Sequence, residues 1–339
     1  MRKMNIAIIG LGNIGSYLYK YLNDNKNILT EKNNCLPYIK YVSAKNKKRK
    51  RNIKIKKGQW LNNYLDATKL KEVDLIVELI GGSEGPAKKL VYAALKNKKH
   101  VVTANKALIA KYGDHLSKIA EKNKVNLEFE ASVCGGVPII RSLKEGLIAN
   151  KISKIYGIFN GTSNYILSSM DKENKNLQEV LLNAKKLGYA ESNPTADLNG
   201  DDVSSKLKIL SSLCFNSFIN NNIYVEGIME IDKIDIDNAN QLGYKIKLLG
   251  FSELINNKIY QRVHPTLIKK NSYVASIDGV LNAVIVDGKP VGQSTIQGEG
   301  AGPAATTSAL ISDISSILRG NIKFPFSLSN KERKRMKFD

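Results

Sequence analysis

The sequence predicts an α/β protein of two domains, a doubly wound parallel-sheet domain joined to an α+β domain around a mixed sheet. Three observations predict it. The opening stretch MRKMNIAIIGLGNIGSYLYKYL reads as strand, glycine turn and helix. Apolar runs and helical segments then alternate through the first third, as βαβ units on a parallel sheet require. Beyond about residue 135 the rhythm changes to neighbouring helices and longer alternating segments, which suit an antiparallel or mixed sheet. At 339 residues the chain fits two domains of about 150 each.

In order, residues 5–9 form a short buried strand and 16–22 an amphipathic helix. Further strands are expected at 37–44, 74–80, 100–104 and 125–131, with helices at 86–98 and 112–123. In the second part, 136–146 is expected to be helical and 152–159 a strand, followed by helices at 161–170 and 177–187. The polar, turn-rich GYAESNPTADLNGDD leads into a helix at 203–214. Residues 258–266 and 280–287 alternate as strands. GEGAGPAATTSALISDISSILRG closes the pattern with a glycine turn and a helix over 304–319. There is no internal repeat, and the one low-complexity piece is KNKKRKRNIKIKK, residues 45–57.

Gly10, Gly12 and Gly15 have G-x-G-x-x-G spacing between strand and helix. In that context the glycines serve a tight turn, the approach of backbone to a pyrophosphate, and close helix–strand contact. The helix N-terminus then offers unpaired N–H groups to the phosphates. The first domain is therefore of Rossmann type. A ribose 2′-hydroxyl is normally held by a carboxylate at the end of the second strand. Here that strand runs into Lys45, Lys47, Lys48, Arg49, Lys50 and Arg51, cations that favour a 2′-phosphate. The local chemistry thus points to NADP, with NAD left open and a solvated lysine loop the plainer reading of each residue alone.

The formal charge of +21 would suit nucleic acid, an anionic membrane surface or acidic ligands. The lysines are spread along the whole chain, however, among many asparagines and isoleucines. No dedicated nucleic-acid role is expected from them. Cys35, Cys134 and Cys214 lack CxxC spacing and fit a reducing compartment. The apolar run 6–9 is too short for a signal peptide's core, and no stretch approaches about 18 apolar residues. The expectation is a soluble, cytoplasmic protein without a membrane segment.

Five further stretches resemble homoserine dehydrogenases: VVTANKALIA (101–110), FEASVCGGVPII (129–140), GIFNGTSNYIL (157–167), GYAESNP with DLNGDDVSSKLKIL (188–210), and GEGAGPAAT (298–306). They fall in order and at plausible spacing across residues 6–320. The resemblance implies NAD(P)H-dependent reduction of L-aspartate 4-semialdehyde to L-homoserine, on the route to threonine, methionine and isoleucine. It implies a dinucleotide-binding domain of residues 1–134 plus about 300–330, completed by the last helix. A catalytic domain of residues 135–299 would also form a homodimer contact.

Site residues follow from the same resemblance. Lys206 is the implied proton donor, and Lys106, ending the fourth strand, is implied near the nicotinamide and the reacting carbonyl. Glu191 and Asp202 match substrate-contacting positions, with Asp197 a third. Gly10, Leu11, Gly12, Asn13, Ile14, Gly15, Thr103, Lys106, Gly188, Glu191 and Gly302 match cofactor-contacting positions. Glu130, Val133, Gly135 and Val137 match a monovalent-cation site, usually sodium, in which Cys134 replaces the family's central glycine.

The residues also bear physical reading. Aldehyde reduction needs a hydride at carbon and a proton or cation at the developing alkoxide. Lys206 lies four residues after Asp202 on one helical face, and Ile209 and Leu213 continue that line as apolar neighbours. Burial disfavours an ammonium while a carboxylate neighbour favours it. By residues alone, an ordinary surface Asp–Lys pair remains open. The substrate's own ammonium calls for carboxylates. His264, in RVHPT, also fits the family and reads as structural.

Two rivals stand beside this reading. In an acylating semialdehyde dehydrogenase Cys134 would be the nucleophile, but that chemistry needs a partnering base, and His100, His115 and His264 carry no motif. A nucleotide-sensing or nucleic-acid-binding Rossmann protein would rest on loop 45–57, where no aromatic residue is interleaved before Trp60. No room for a regulatory ACT domain is expected after the last helix, and hence no threonine feedback through this chain.

Overall fold

Strand and helix alternate in the first unit because every strand must bury both faces. The chain is described by a computed structural model over residues 2–338. It divides into two units, one running to Gly136 and taking up Gly302–Arg333, the other comprising Val137–Ala301 and the chain from Lys334 on. In the first unit β1 (Arg2–Ile9), β2 (Cys35–Ser43), β3 (Leu75–Glu78), β4 (His100–Thr103) and β5 (Leu127–Glu128) form one sheet in the order β2-β1-β3-β4-β5. All its pairings are parallel. Ile6, Ile8, Leu75, Val77 and Val102 are inaccessible, which is why these strands read as continuous apolar runs rather than alternations. The helix Pro303–Leu318 returns to this unit and adds Leu310, Ile314 and Ile317 to the core that holds Leu18 and Leu22.

The second unit is built on a mixed sheet: β6 (Lys151–Ile158), β7 (Tyr224–Val225), β8 (Tyr244–Ile255), β9 (Lys258–Lys269), β10 (Leu281–Lys289), β11 (Gly292–Glu299) and β12 (Lys337–Phe338). Its order is β11-β10-β6-β8-β9-β12, with β7 on β9. The long strands pair antiparallel, while β7 and β12 run parallel to β9. Helix Asp201–Cys214 packs on β8 and β6, with 11 of its 14 residues buried. It comes this close because β8 offers Gly250 beneath it. A Cβ there would lie 2.7 Å from the Phe159 ring and 3.0 Å from Val203 Cγ1.

Several boundaries differ from the sequence reading, each for a local reason. The strand expected at 125–131 ends at Glu128, because the Glu130 N–H turns away to the Asp313 carboxylate at 2.9 Å. The helix expected from 112 begins at Lys106, where the Asn105 side chain caps it by accepting the Leu108 N–H at 3.1 Å. Residues 136–146 are helical only from Ile139, and the helix then widens into a π-type turn over Ser142–Gly146. β8 has no counterpart in the sequence reading. Its alternation is broken by Lys247, a lysine only 1% exposed that is neutralised by Asp278 at 2.8 Å.

Candidate active site

The first unit carries a phosphate cradle at the carboxyl edge of its sheet, beside the β1/β3 boundary where the strand order switches. Gly10 has φ +110°, and a Cβ on it would sit 2.3 Å from the Leu79 carbonyl oxygen. A Cβ on Gly15 would sit 2.0 Å from the Gly10 carbonyl oxygen. Gly12 faces open space, with nothing within 4 Å of its would-be Cβ. Two glycines thus close the turn and the third keeps its outer face clear for a ligand. Leu11, Asn13 and Ile14 complete the turn, and the helix Asn13–Asp24 has no side-chain cap and no acidic residue in its first turn. Its N–H groups are left for an anion, so the residues present fit a dinucleotide.

The basic loop is anchored to this turn through Arg51. Its guanidinium donates to the carbonyls of Leu11 at 2.9 Å, Arg49 at 2.8 Å and Asn46 at 2.8 Å. Burial and then the charge of Arg49 push its pKa down. Arg51 is therefore committed to holding the loop. Of the other loop cations, Lys47 donates to Asn62 Oδ1 at 2.6 Å and Arg49 reaches Asn13 Oδ1 at 3.5 Å.

The ends of β3 and β4 are tied by a residue the sequence reading passed over. Glu78 is fully buried. It accepts from Ile80 N at 2.7 Å, Gly81 N at 3.0 Å and the Thr103 hydroxyl at 2.5 Å. Thr103 is itself inaccessible, so its hydroxyl proton is spent on Glu78 and it braces the corner rather than facing a ligand. Asn105 donates to the Gly82 carbonyl at 2.7 Å. This braced corner carries Lys106 at the first position of helix Lys106–Asn123. Gly302, φ +101°, caps the N-terminus of helix Pro303–Leu318.

Glu130, Ala131 and Ser132 make a single 3-10 turn. Glu130 is 2% exposed and Val133 inaccessible. Cys134 has φ +52° and Gly135 φ +24°. The left-handed backbone at 134 explains why glycine suits that position and why cysteine there carries strain of about 1–2 kcal/mol. Buried at 1% exposure, Cys134 lacks the partial exposure of a reactive thiol. Val137 opens the second unit.

In the second unit the candidate catalytic groups meet at one strand-to-helix junction. β6 ends at Ile158, Phe159 follows, and Asn160 caps helix Gly161–Glu173. Lys206 Nζ lies 2.7 Å from Asp202 Oδ2 and donates to the Phe159 carbonyl at 2.5 Å. Lys206 is 8% and Asp202 5% exposed, so this is not an ordinary surface pair. Asn160 Nδ2 reaches both Asp202 Oδ2 at 2.8 Å and Asp197 Oδ1 at 2.7 Å. Asp197, on the short helix Thr195–Leu198, is thereby drawn into the group. Gly188 and Glu191 are exposed in the turn after helix Leu177–Lys186. That turn is tied to the same junction by the Thr162 hydroxyl, which donates to the Tyr189 carbonyl at 2.8 Å. Glu191 makes no hydrogen bond or ion pair among the described residues. Asn160 and the Phe159 carbonyl were missed by sequence reasoning, although N-G-T-S before an apolar helix is a capping signal.

A turn with this clearance suits a pyrophosphate, and a buried lysine held by oxygens suits the proton of a carbonyl–alcohol exchange. The class so defined is a nicotinamide-dependent oxidoreductase. Comparison with known proteins is more specific. The family model described as homoserine dehydrogenase matches residues 138–315, and the one described as its NAD binding domain matches residues 10–130. The homoserine dehydrogenase of Neisseria gonorrhoeae is 42% identical over 320 residues, 94% of this chain and 73% of that protein. That of Bacillus subtilis is 38% identical, covering 94% of this chain and 74% of its own. The crystal structure of a homoserine dehydrogenase from Thiobacillus denitrificans superposes with a TM-score of 0.94 at 36% identity, over 100% of this chain and 80% of the other. The chain belongs to the homoserine dehydrogenase family. It is an NAD(P)-dependent oxidoreductase acting on CH–OH, reducing L-aspartate 4-semialdehyde to L-homoserine in the threonine and methionine pathway. No helix among the described residues is long and apolar enough to cross a membrane.

Proposed function

We propose that Lys206 is the proton donor of this reduction, working in a cytoplasmic homodimer that prefers NADP(H). The observation that carries the assignment is the fixation of Lys206 Nζ between the Phe159 carbonyl and Asp202. When bound, the nicotinamide supplies the hydride. Lys206 delivers a proton to the oxygen of the forming alkoxide, and Asp202 holds the ammonium in place and in its charged form. Asp197 and Glu191 answer the substrate's α-ammonium, with Asp202 as the third carboxylate. Lys106, on the corner braced by Glu78, Thr103 and Asn105, supplies a second cation toward the carbonyl.

Gly10 to Gly15 hold the pyrophosphate, with Gly188, Glu191 and Gly302 completing the cofactor contacts, while the inaccessible Thr103 acts only by bracing Glu78. The cations of the basic loop take the 2′-phosphate. A monovalent cation, sodium by preference, fits the turn at Glu130, Val133, Gly135 and Val137. Its donor chemistry is one buried carboxylate with backbone carbonyls, the hard oxygen set such an ion takes. Among the described residues no group of three His, Cys, Asp or Glu side chains offers an alternative metal site.

The test is homoserine oxidation by the purified protein with NADP⁺ and NAD⁺ in parallel, followed as reduced cofactor. Homoserine-dependent turnover with the higher kcat/KM for NADP⁺ is expected. Turnover with NAD⁺ equal to or better than NADP⁺ would sink the cofactor preference, and loss of turnover in Lys206→Ala is required of the assigned acid.

A further inference from the structure

Asn160 has an amide whose orientation is set by its surroundings. Its Oδ1 accepts the Ser163 backbone N–H at 2.7 Å, the capping bond of helix Gly161–Glu173. That acceptor role fixes which end of the amide is oxygen, an assignment that follows from the bonding pattern. The NH2 group must then face the other way, and it does so toward two carboxylates, Asp197 and Asp202, at 2.7 Å and 2.8 Å. Both amide protons are consumed, one by each acid. The residue is 4% exposed, so water does not compete for these bonds.

We propose that Asn160 is a positioning residue of the reaction. Its amide bridges the buried Asp202 and the half-buried Asp197, so that Asp202 serves the acid Lys206 while Asp197 serves the substrate ammonium. This rests on the reading of Lys206 and the carboxylates given above. Asp202 is already paired with Lys206 at 2.7 Å, and like charges brought close still repel. A neutral double donor held between Asp202 and Asp197 relieves that repulsion and fixes both oxygens. The Phe159 carbonyl, one residue earlier, orients Lys206 Nζ at 2.5 Å. A single dipeptide at the end of β6 thus aims both the acid and its counter-charge, and the helix cap locks that dipeptide.

The variant that separates this role from capping is Asn160→Asp. Aspartate caps a helix as well as asparagine does, so helix Gly161–Glu173 keeps its N-terminus, although the added buried charge lowers the melting temperature. The second oxygen then confronts two carboxylates and has no proton to give above its own titration. The expected result is a kcat lower by about 100-fold at neutral pH, with NADPH affinity unchanged by fluorescence titration. The ratio of variant to wild-type kcat should rise as pH is lowered, because protonating the third carboxyl restores a donor.

A folded Asn160→Asp enzyme with wild-type kcat, or with a loss that is the same at every pH, overturns the proposal. If that variant does not fold, Asn160→Ser keeps a cap on a side chain too short to bridge both acids. A comparable kcat loss in it supports the proposal and wild-type turnover refutes it. Lys206→Ala, measured alongside, separates the two levels. Full activity there fails the underlying reading, whereas an inactive Lys206→Ala beside an unimpaired Asn160→Asp fails this inference alone.

Discussion

Replacing Lys206 by alanine disturbs stability and chemistry together, and the structure lets the two be separated. The Lys206 and Asp202 side chains are 10% and 4% exposed, so the change strands a buried carboxylate. Breaking such a pair costs about 3–5 kcal/mol. Asn160 still donates to Asp202 at 2.8 Å, which places the cost near ~3 kcal/mol. For a unit of this size that is a fall in Tm of about 6–12 °C. Proton transfer from a positioned group contributes about 10²–10⁴ in rate, and kcat should fall in that range. Adding Asp202→Asn to Lys206→Ala removes the stranded charge, so Tm should recover by half or more while kcat stays low. The assays are initial rates of homoserine oxidation at saturating NADP⁺ and thermal unfolding by calorimetry. A kcat within tenfold of wild type, or a kcat that recovers along with Tm, would refute the acid role.

Gly10→Ala meets the Leu79 carbonyl at 2.3 Å and should fail to yield stable protein. Gly12→Ala, with nothing within 4 Å, should melt like wild type yet bind NADPH at least about tenfold more weakly, losing some of the backbone approach that a pyrophosphate needs. Calorimetry and a fluorescence titration check the pair. Neutralising Lys47, Lys48 and Arg49 together should weaken NADP(H) far more than NAD(H), with the difference shrinking at high salt. Arg51→Ala should weaken both cofactors, since Arg51 holds the loop to the Leu11 carbonyl at 2.9 Å. Burial works against an ionised Asp278, but hydrogen bonds from Lys247 and Lys172 overcome it and hold the carboxyl well below its usual range. A depressed carboxyl pKa stabilises the fold above the ordinary value near 4 and loses that contribution as pH falls below it. The Tm advantage of wild type over Asp278→Asn should therefore be full at pH 6 and shrink between pH 4 and pH 2. A constant difference would show that the Asp278 charge contributes nothing.

Much of this was legible in residue types and spacing. A glycine triplet between an apolar strand and an amphipathic helix specifies its own geometry, because only residues without Cβ fit Gly10 and Gly15. The i, i+4 spacing of Asp202 and Lys206 placed both on one face. What spacing could not show was their depth, which depends on Gly250, far along the chain on β8, admitting the helix. Glu78 was passed over because a carboxylate inside a parallel strand reads as apolar-strand noise until its three donors are seen. Asn160 was passed over even as a cap, and its second task depends on Asp197 and Asp202 arriving from later in the chain. Lys247 concealed β8 for the opposite reason, since a buried cation breaks the very alternation by which a strand is recognised.

The return of helix Pro303–Leu318 to the first unit has a consequence for how the protein is made. During synthesis the first 136 residues leave the ribosome long before Leu310, Ile314 and Ile317 exist to cover the faces around Leu18 and Leu22. The nascent nucleotide-binding half must wait, with apolar surface bared, while the whole of Val137–Ala301 is translated. A fragment ending near Gly136 would keep that surface permanently open and should aggregate or recruit chaperones. Supplying Gly302–Arg333 in trans, or fusing it ahead of β1 in a permuted chain, would let the half close on schedule.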